Sequence, residues 1–343
     1  MTSTAETVRE VGARPNGADG GQWRRRLSGE TLPVPALLVM LLIAAVMLAV
    51  NPAFLSGGNL LAIAQQAAVP VVIGVGLTFV VLMGGIDLSV EGVIAGSSLA
   101  VALLVSNDRN SMDLGLLAVP IAIAIGAALG AVAGLSVGFL KVPSFIVTIG
   151  TWQIGLGIAQ LLFGSAPPRV RDESFRSFVV ADALGVPGMV WTALGVVAVG
   201  LLVQHFTRFG RYAFVIGAND EIAAQTGVRV RHYRAAAFVV SGAAAGLAAV
   251  LATGRVGVGD VTIGSGLLFT TVAGIVVGGT FLTGGRGGVL HSTVGVVVIV
   301  AISNAMVLGG VSSYIQQAVQ GIVVVVAAIV TLWRSRARLR VIK

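Results

Sequence analysis

The chain has 343 residues, 56% of them hydrophobic and only 10% charged, with a mean hydropathy of +0.97 and a formal net charge of +8. Water-soluble domains carry about 25% charged residues, so this composition excludes one. With no cysteine at all, disulfides, thiolate catalysis and cysteine-ligated metals are excluded as well, and the three histidines, His205, His232 and His291, are too scattered to suggest a metal site.

In chain order, residues 1–32 are polar, glycine-rich and close to the triplet Arg24, Arg25, Arg26, which reads as a disordered basic cytoplasmic tail ahead of an uncleaved first span. Ten apolar runs follow, at 34–50, 60–83, 89–106, 114–138, 143–163, 188–205, 235–253, 266–282, 289–308 and 314–333. Most are near the roughly 17 to 25 residues that cross a bilayer as a helix. None shows the apolar–polar alternation of a membrane barrel strand. Helices satisfy their backbone internally, so the expected fold is an all-α polytopic bundle of about ten transmembrane helices over 33–333, followed by a basic cytoplasmic tail at 334–343.

Orientation follows from the basic residues. With both termini in the cytoplasm, 17 of the 22 lysines and arginines fall inside, and only Arg109, Arg169, Arg171, Arg176 and Arg255 fall outside. The pI near 11.1 is therefore a signal of topology and of contact with anionic membrane lipid, and poor evidence for nucleic-acid binding. Two loops are long: 164–187 outside, read either as a solvated connector or as a docking surface, and 206–234 inside.

Glycine recurs at every fourth position from Gly126 through Gly130 and Gly134 to Gly138, and the spacing returns at Gly242/Gly246 and Gly274/Gly278. Such stripes let helix backbones approach closely in lipid. Ionisable residues are almost absent from the spans, which argues against coupling to protons or sodium. A phosphate-binding Gly-x-x-x-x-Gly-Lys loop is also missing, since the only lysines are Lys141 and Lys343. No nucleophile–base pair stands out, so the chain is not read as an enzyme, and energy must come from another chain. Isolated polar residues on apolar spans, Gln65, Gln66, Thr148, Trp152, Asn304 and Gln316, are candidates for a translocation route, although hydrogen bonds between helices explain each one about as well.

The stretch "MGGIDLSVEG", 83–92, puts two carboxylates among apolar residues. Asp87 follows a Gly84-Gly85 break and precedes Ser89 and the third run, so it is expected to cap that helix, with Glu91 on the same face and Gly85 needing positive φ. Alternatively the break lines or hinges a transport route. In the inner loop, Asn219-Asp220-Glu221 starts a short helix that runs through Ala223 and Ala224 to a stop at Gly227. Bounded by Gly217 and Gly227, it reads either as a connector or as a piece shaped for a partner's groove, with Arg229, Arg231 and Arg234 at the lipid surface.

Taken in order, "TFVVLMGGIDLSV", "VPSFIVTIGT", "GANDEIAAQTGV", "VAGIVVGGTFLTGGRGGVLHSTVG" and "GVSSYIQQAVQGIVVV" resemble the permeases of ribose- and xylose-type sugar ATP-binding-cassette importers over roughly 35–333. The resemblance implies a bacterial inner-membrane protein without a cofactor of its own, paired with a second permease, a cytoplasmic ATPase that uses the ATP, and an extracytoplasmic sugar-binding protein. It also implies that Asn219, Asp220, Glu221, Ala223, Ala224 and Gly227 form the helix that couples to the ATPase. Three positions depart from that family, which usually has glycine at Glu91 and an acidic residue early in the eighth span, where Leu268 and Thr270 stand here. Permeases for nucleosides or other small polar solutes are the nearest alternative, and an ion-coupled carrier or channel is a more distant one.

Overall fold

The computed structural model describes residues 33–312 and, beyond them, 315, 316, 318–323, 325, 326 and 329. The tails expected at 1–32 and 334–343 lie outside the described residues. Helices α1 (Val34–Val50), α2 (Gly57–Leu82), α3 (Val90–Leu104), α4 (Ala118–Phe139) and α5 (Ser144–Phe163) come first. A short α6 (Glu173–Val180) and a two-residue hairpin, β1 (Asp182–Ala183) with β2 (Val186–Pro187), lead to α7 (Gly188–Phe206). Then come α8 (Arg208–Ala218), α9 (Asp220–Gln225), α10 (Val230–Val256), α11 (Leu267–Val277) and α12 (Val289–Leu308). Helical backbone resumes at 315, 316 and 318–323, within the tenth expected run.

Six helices among the described residues are long and apolar enough to cross a membrane; α1, α3 and α11 are shorter. Helices α2 and α10 are the centre. From Ala67 to Leu82, α2 is buried without interruption, and α10 buries most of 235–254. The peripheral helices instead leave large aliphatic side chains open, among them Leu42, Leu161 and Leu202. A helix that is apolar on every face suits lipid on one side and protein on the other.

The glycine stripe of α4 lies directly on α10. A Cβ at Gly126, Gly130, Gly134 or Gly138 would overlap the carbonyl oxygens of Gly242, Phe238, Ala235 and Arg231 in turn, and Gly246 meets Ala122 in the same way. The backbones touch because no side chain intervenes.

Two expected spans are corrected by the structure. The eighth run, 266–282, holds a helix of only eleven residues that ends at Val277, and 278–288 is a string of turns. Phe281 and Leu282 made the run look continuous, but the turn is built by glycines and by hydroxyls: Thr280 accepts from the Gly288 N–H at 3.1 Å and meets Ser292 at 3.2 Å, and Thr78 of α2 donates to Ser292 at 2.7 Å. The third run likewise holds only the fifteen residues of α3. At 1.5 Å per residue these helices measure about 16 and 22 Å, short of the roughly 30 Å hydrocarbon core.

The loop 164–187 is a folded cap. The N–H groups of Arg171 and Asp172 donate to Ser106 O, Val170 N–H to Gly257 O, and Arg169 N–H to the Asp108 carboxylate at 2.8 Å. The Arg109 guanidinium ties the same layer down through the carbonyls of Phe163 and Ala166. Asp172 starts α6 by accepting from Phe175 N–H at 3.0 Å, and Phe175 is fully buried beneath it. Burial pushes the Asp172 carboxyl up, but hydrogen bonds from the Ser174 hydroxyl and from the Phe175 and Ser174 N–H groups outweigh this and leave it below its ordinary value.

Candidate functional site

The break at 83–89 is open on one side, at Gly84 and Ile86, and buried on the other, at Asp87 and Ser89. Asp87 is buried, takes the Ser89 N–H at 2.9 Å and the Ser89 hydroxyl at 2.6 Å on one oxygen, and takes the Ser241 hydroxyl of α10 at 2.7 Å on the other. Ser241 is eleven residues from the start of α10, about 16 Å along it. Asp87 is therefore not the cap of α3. The N-cap is Ser89, and no side chain caps it. The carboxylate acts as a bridge that fastens a non-helical turn to the central helix. The glycine expectation is also corrected: Gly84 carries the positive φ, 74°, whereas Gly85 is held by packing, its added Cβ falling 2.9 Å from Val80 Cγ1 and 3.4 Å from the Phe238 ring.

Glu91 does something the sequence reading did not anticipate. It stands in the first turn of α3, and its Oε1 accepts from the backbone N–H groups of Gly266 at 3.0 Å and Leu268 at 3.4 Å. It thus caps α11, 175 residues away in sequence. The departures at Glu91 and Leu268 meet in space, where a carboxylate on α3 supplies negative charge to the start of α11.

On the opposite side of the break, the loop 206–234 contains two helices. The expectation of one rigid piece bounded by Gly217 and Gly227 is corrected. Gly217 belongs to the end of α8, where an added Cβ would overlap Leu82 O and lie against Gly285 N, so it anchors the loop to the ends of α2 and of the 278–288 turn. The short helix itself is α9, six residues long, with Asn219 capping it through Ile222 N–H at 2.9 Å and Gly227 following at φ 83°. Ala223 points inward and is fully buried, while Glu221, Ile222 and Ala224 are exposed. Arg234 turns back to Asp220 at 3.0 Å. Both side chains are partly exposed, and such a pair contributes about 1 kcal/mol or less. Between α9 and the break at 83–89 lies a cavity of about 560 Å³, lined by Gly84, Gly85, Lys141, Glu221, Ala224 and Arg231 among others.

The isolated polar residues separate into two groups. Thr148 is buried and donates to Ser144 O at 2.9 Å, Asn304 exchanges amide hydrogen bonds with Asn59 at 2.9 and 3.0 Å, and Gln316 donates to Val311 O at 2.8 Å. Their polar groups are met inside the protein, so neither Thr148 nor Asn304 needs water to explain it. Gln66 is exposed and Gln65 half-buried, on the third turn of α2, and Trp152 meets Gly92 of α3 through its carbonyl and ring while its buried Nε1 has no hydrogen-bond partner. Two residues escaped the sequence reading. Ser241 is hidden in "VVSGAAAG", where any serine could simply bond its own helix, and Gln204 of α7 accepts the Val289 N–H at 2.7 Å to start α12.

Short helices packed among membrane-crossing ones, with a short exposed helix beside a cavity at one end, fit a polytopic transport protein. Residues 59–328 match the family described as branched-chain amino acid transport system / permease component, and the chain belongs to it. It is 31% identical over 299 residues to the ribose import permease protein RbsC of Escherichia coli, across 86% of this chain and 92% of that one. The Bacillus subtilis protein of the same name is 32% identical over 306 residues, 88% of this chain and 92% of its own length. The D-allose transport system permease protein AlsC of Escherichia coli is 31% identical over 290 residues, 84% and 88% respectively. No solved structure matches the chain significantly.

Proposed function

We propose that this chain forms the membrane route for a monosaccharide, a pentose or similar sugar, in an importer driven by ATP on another subunit. The observation that carries the reading is likeness along nearly the whole chain to permeases named for ribose and for allose, two sugars on one scaffold. The chain is a permease subunit and not an enzyme. ATP is hydrolysed by a separate ATPase, the sugar arrives on an extracytoplasmic binding protein, and a second permease, identical or related, completes the route.

In this reading the transmembrane domain is 33–333, ten membrane segments of which α3 and α11 are helical over only part of the bilayer, with both termini in the cytoplasm, and the folded cap at 164–187 faces the binding protein. The 206–234 loop faces the ATPase, and α9 is the coupling helix. Its outward Glu221, Ile222 and Ala224 suit a groove, and its cap Asn219 and stop Gly227 delimit it. The end of α8 at Gly217, just before α9, packs on Leu82 O at the end of α2, so a push on α9 is delivered to the Gly84-Gly85-Asp87-Ser89 break that follows. Uptake of labelled ribose into proteoliposomes holding the permease, its ATPase and its binding protein tests the proposal. Uptake should require all three and ATP; flux through the permease alone would make it a carrier or channel.

A further inference from the structure

The depth of Glu91 can be read from the contacts of α3 with α10. Ser98 and Thr253 share a hydrogen bond at 2.7 Å, and Asp87 and Ser241 another at the same distance, so the two helices run side by side in the same direction. Glu91 is seven residues before Ser98, and Thr253 is three residues before the end of α10. Glu91 therefore lies about 15 Å below that end, about halfway through a roughly 30 Å hydrocarbon core. The non-helical segment 257–266 descends to the same depth along α3. Gly259 packs on Ser98 and Ala102, and Gly264 on Glu91 and Ile94. At the bottom, Gly266 turns the chain with φ 80° into α11, which leads away toward the 278–288 turn.

Irregular backbone at this depth persists only where protein buries it or where it lines water. One side of 257–266 is buried, at Gly259 and Gly264; the other, at Thr262, Ser265 and Gly266, is exposed. That open side is polar, unlike the aliphatic surfaces of α1 and α7: Thr262 gives its N–H and hydroxyl to one Asp260 oxygen at 2.7 and 2.6 Å, and lipid would leave the other Asp260 oxygen and the exposed Ser265 hydroxyl uncompensated. We infer that 257–266 lines the water-filled passage at the middle of the membrane, and that Glu91 is the positioning residue that holds its lower end in place. The inference deepens the transport reading and rests on it, and it commits to a route along α3 and α11, apart from Gln65 and Gln66 on α2. Here Glu91 acts through Gly266 and Leu268, so losing it moves the wall of the passage rather than removing charge from a coupling ion.

The chain has no cysteine, so single cysteines report cleanly. In the reconstituted permease–ATPase–binding protein complex, Thr262→Cys and Ser265→Cys should react with a charged, water-soluble thiosulfonate at least about tenfold faster than Leu42→Cys on the lipid side, because only a hydrated thiol ionises. Reaction should stop uptake, and its rate should change when the ATPase is trapped with vanadate. Added to Ser265→Cys, Glu91→Ala should shift the labelling rate severalfold, whereas Glu91→Gln, which keeps an acceptor oxygen, should restore it; if Glu91→Ala fails to assemble, the Gln variant is compared with the parent alone and should match it. Labelling no faster than at Leu42 overturns the passage, and so does spontaneous disulfide pairing of Ser265→Cys with a second copy, which would make this face a subunit interface. An unchanged labelling rate in Glu91→Ala overturns the positioning role. Labelling does not depend on which solute is carried, so failure of the sugar reading would appear separately, as uptake lost in the unmodified complex.

Discussion

At Asp87 a single carboxylate joins a turn to a helix that is more than 150 residues away. Both oxygens are used, and the three groups bonded to them, two hydroxyls and one N–H, are buried. Asp87→Ala leaves those donors without an acceptor and should cost about 1–3 kcal/mol. Asp87→Asn keeps one oxygen for Ser89 and presents an amide to which the Ser241 hydroxyl can turn as acceptor, so it should cost much less. Thermal stability of the purified protein in detergent separates the two; equal melting would mean the bridge carries no load. Asp87 was legible in the sequence as a special residue, because a carboxylate beside Gly84-Gly85 in an apolar stretch needs a reason. Its partner was not legible. Ser241 sits in an alanine- and glycine-rich helix, and only the meeting of two distant segments gives its hydroxyl a role. The same holds for Glu91, whose acceptor role needs the position of a turn that lies 175 residues on.

Among the elements, the glycine stripe of α4 was readable because its four-residue spacing is a local property of one helix, and it met the expected kind of partner. Gly130→Leu should prevent α4 from seating on α10 and cost about 3 kcal/mol or more, while Gly157→Leu, with nothing within 4 Å of its added Cβ, should stay within about 0.5 kcal/mol. The yield of monodisperse protein on gel filtration checks both. The ends of α3 and α11 were not readable, since hydropathy does not distinguish a helix from an apolar turn and both stretches keep their aliphatic residues past the break. The cap allows a prediction about pH. A hydrogen bond from the Arg169 N–H, foremost, holds the Asp108 carboxyl below its ordinary value of 3.8, and that of Asp172 is also low. Groups with depressed folded values stabilise the protein above their unfolded values, and the contribution disappears as pH falls through the folded ones. Protection of the 169–175 amides from exchange, taken relative to the intrinsic rate at each pH, should therefore be high at neutral pH and fall steeply below about pH 4, and Asp172→Asn should flatten that fall. Protection that is flat across this window would show that the two carboxylates do not secure the cap.

For the whole molecule, the proposed transport cycle has the short helix α9 moving the break at 83–89. The two alanines of α9 test this with opposite outcomes. Ala223 is fully buried, so Ala223→Arg should prevent folding, whereas Ala224 is exposed and Ala224→Arg should leave a folded, inserted protein that neither stimulates its ATPase nor carries sugar. If Ala224→Arg matches the unmodified complex in both assays, α9 is only a connector. The seating of α4 on α10 also sets the order in which the molecule can be completed during synthesis. The two helices touch backbone to backbone, yet about 90 residues, containing α5 to α9, separate the end of one from the start of the other. At about 5–20 residues per second, α4 must wait roughly 5–20 seconds after its own synthesis before its partner exists. A stripe of glycine tolerates that wait in lipid, because a helix bonds its own backbone and leaves no polar group unmet, but the bare face stays open to any helix that presents small residues of its own. The residues that permit the tightest contact in the finished protein are thus also the ones that stand uncovered longest while the ribosome is still at work.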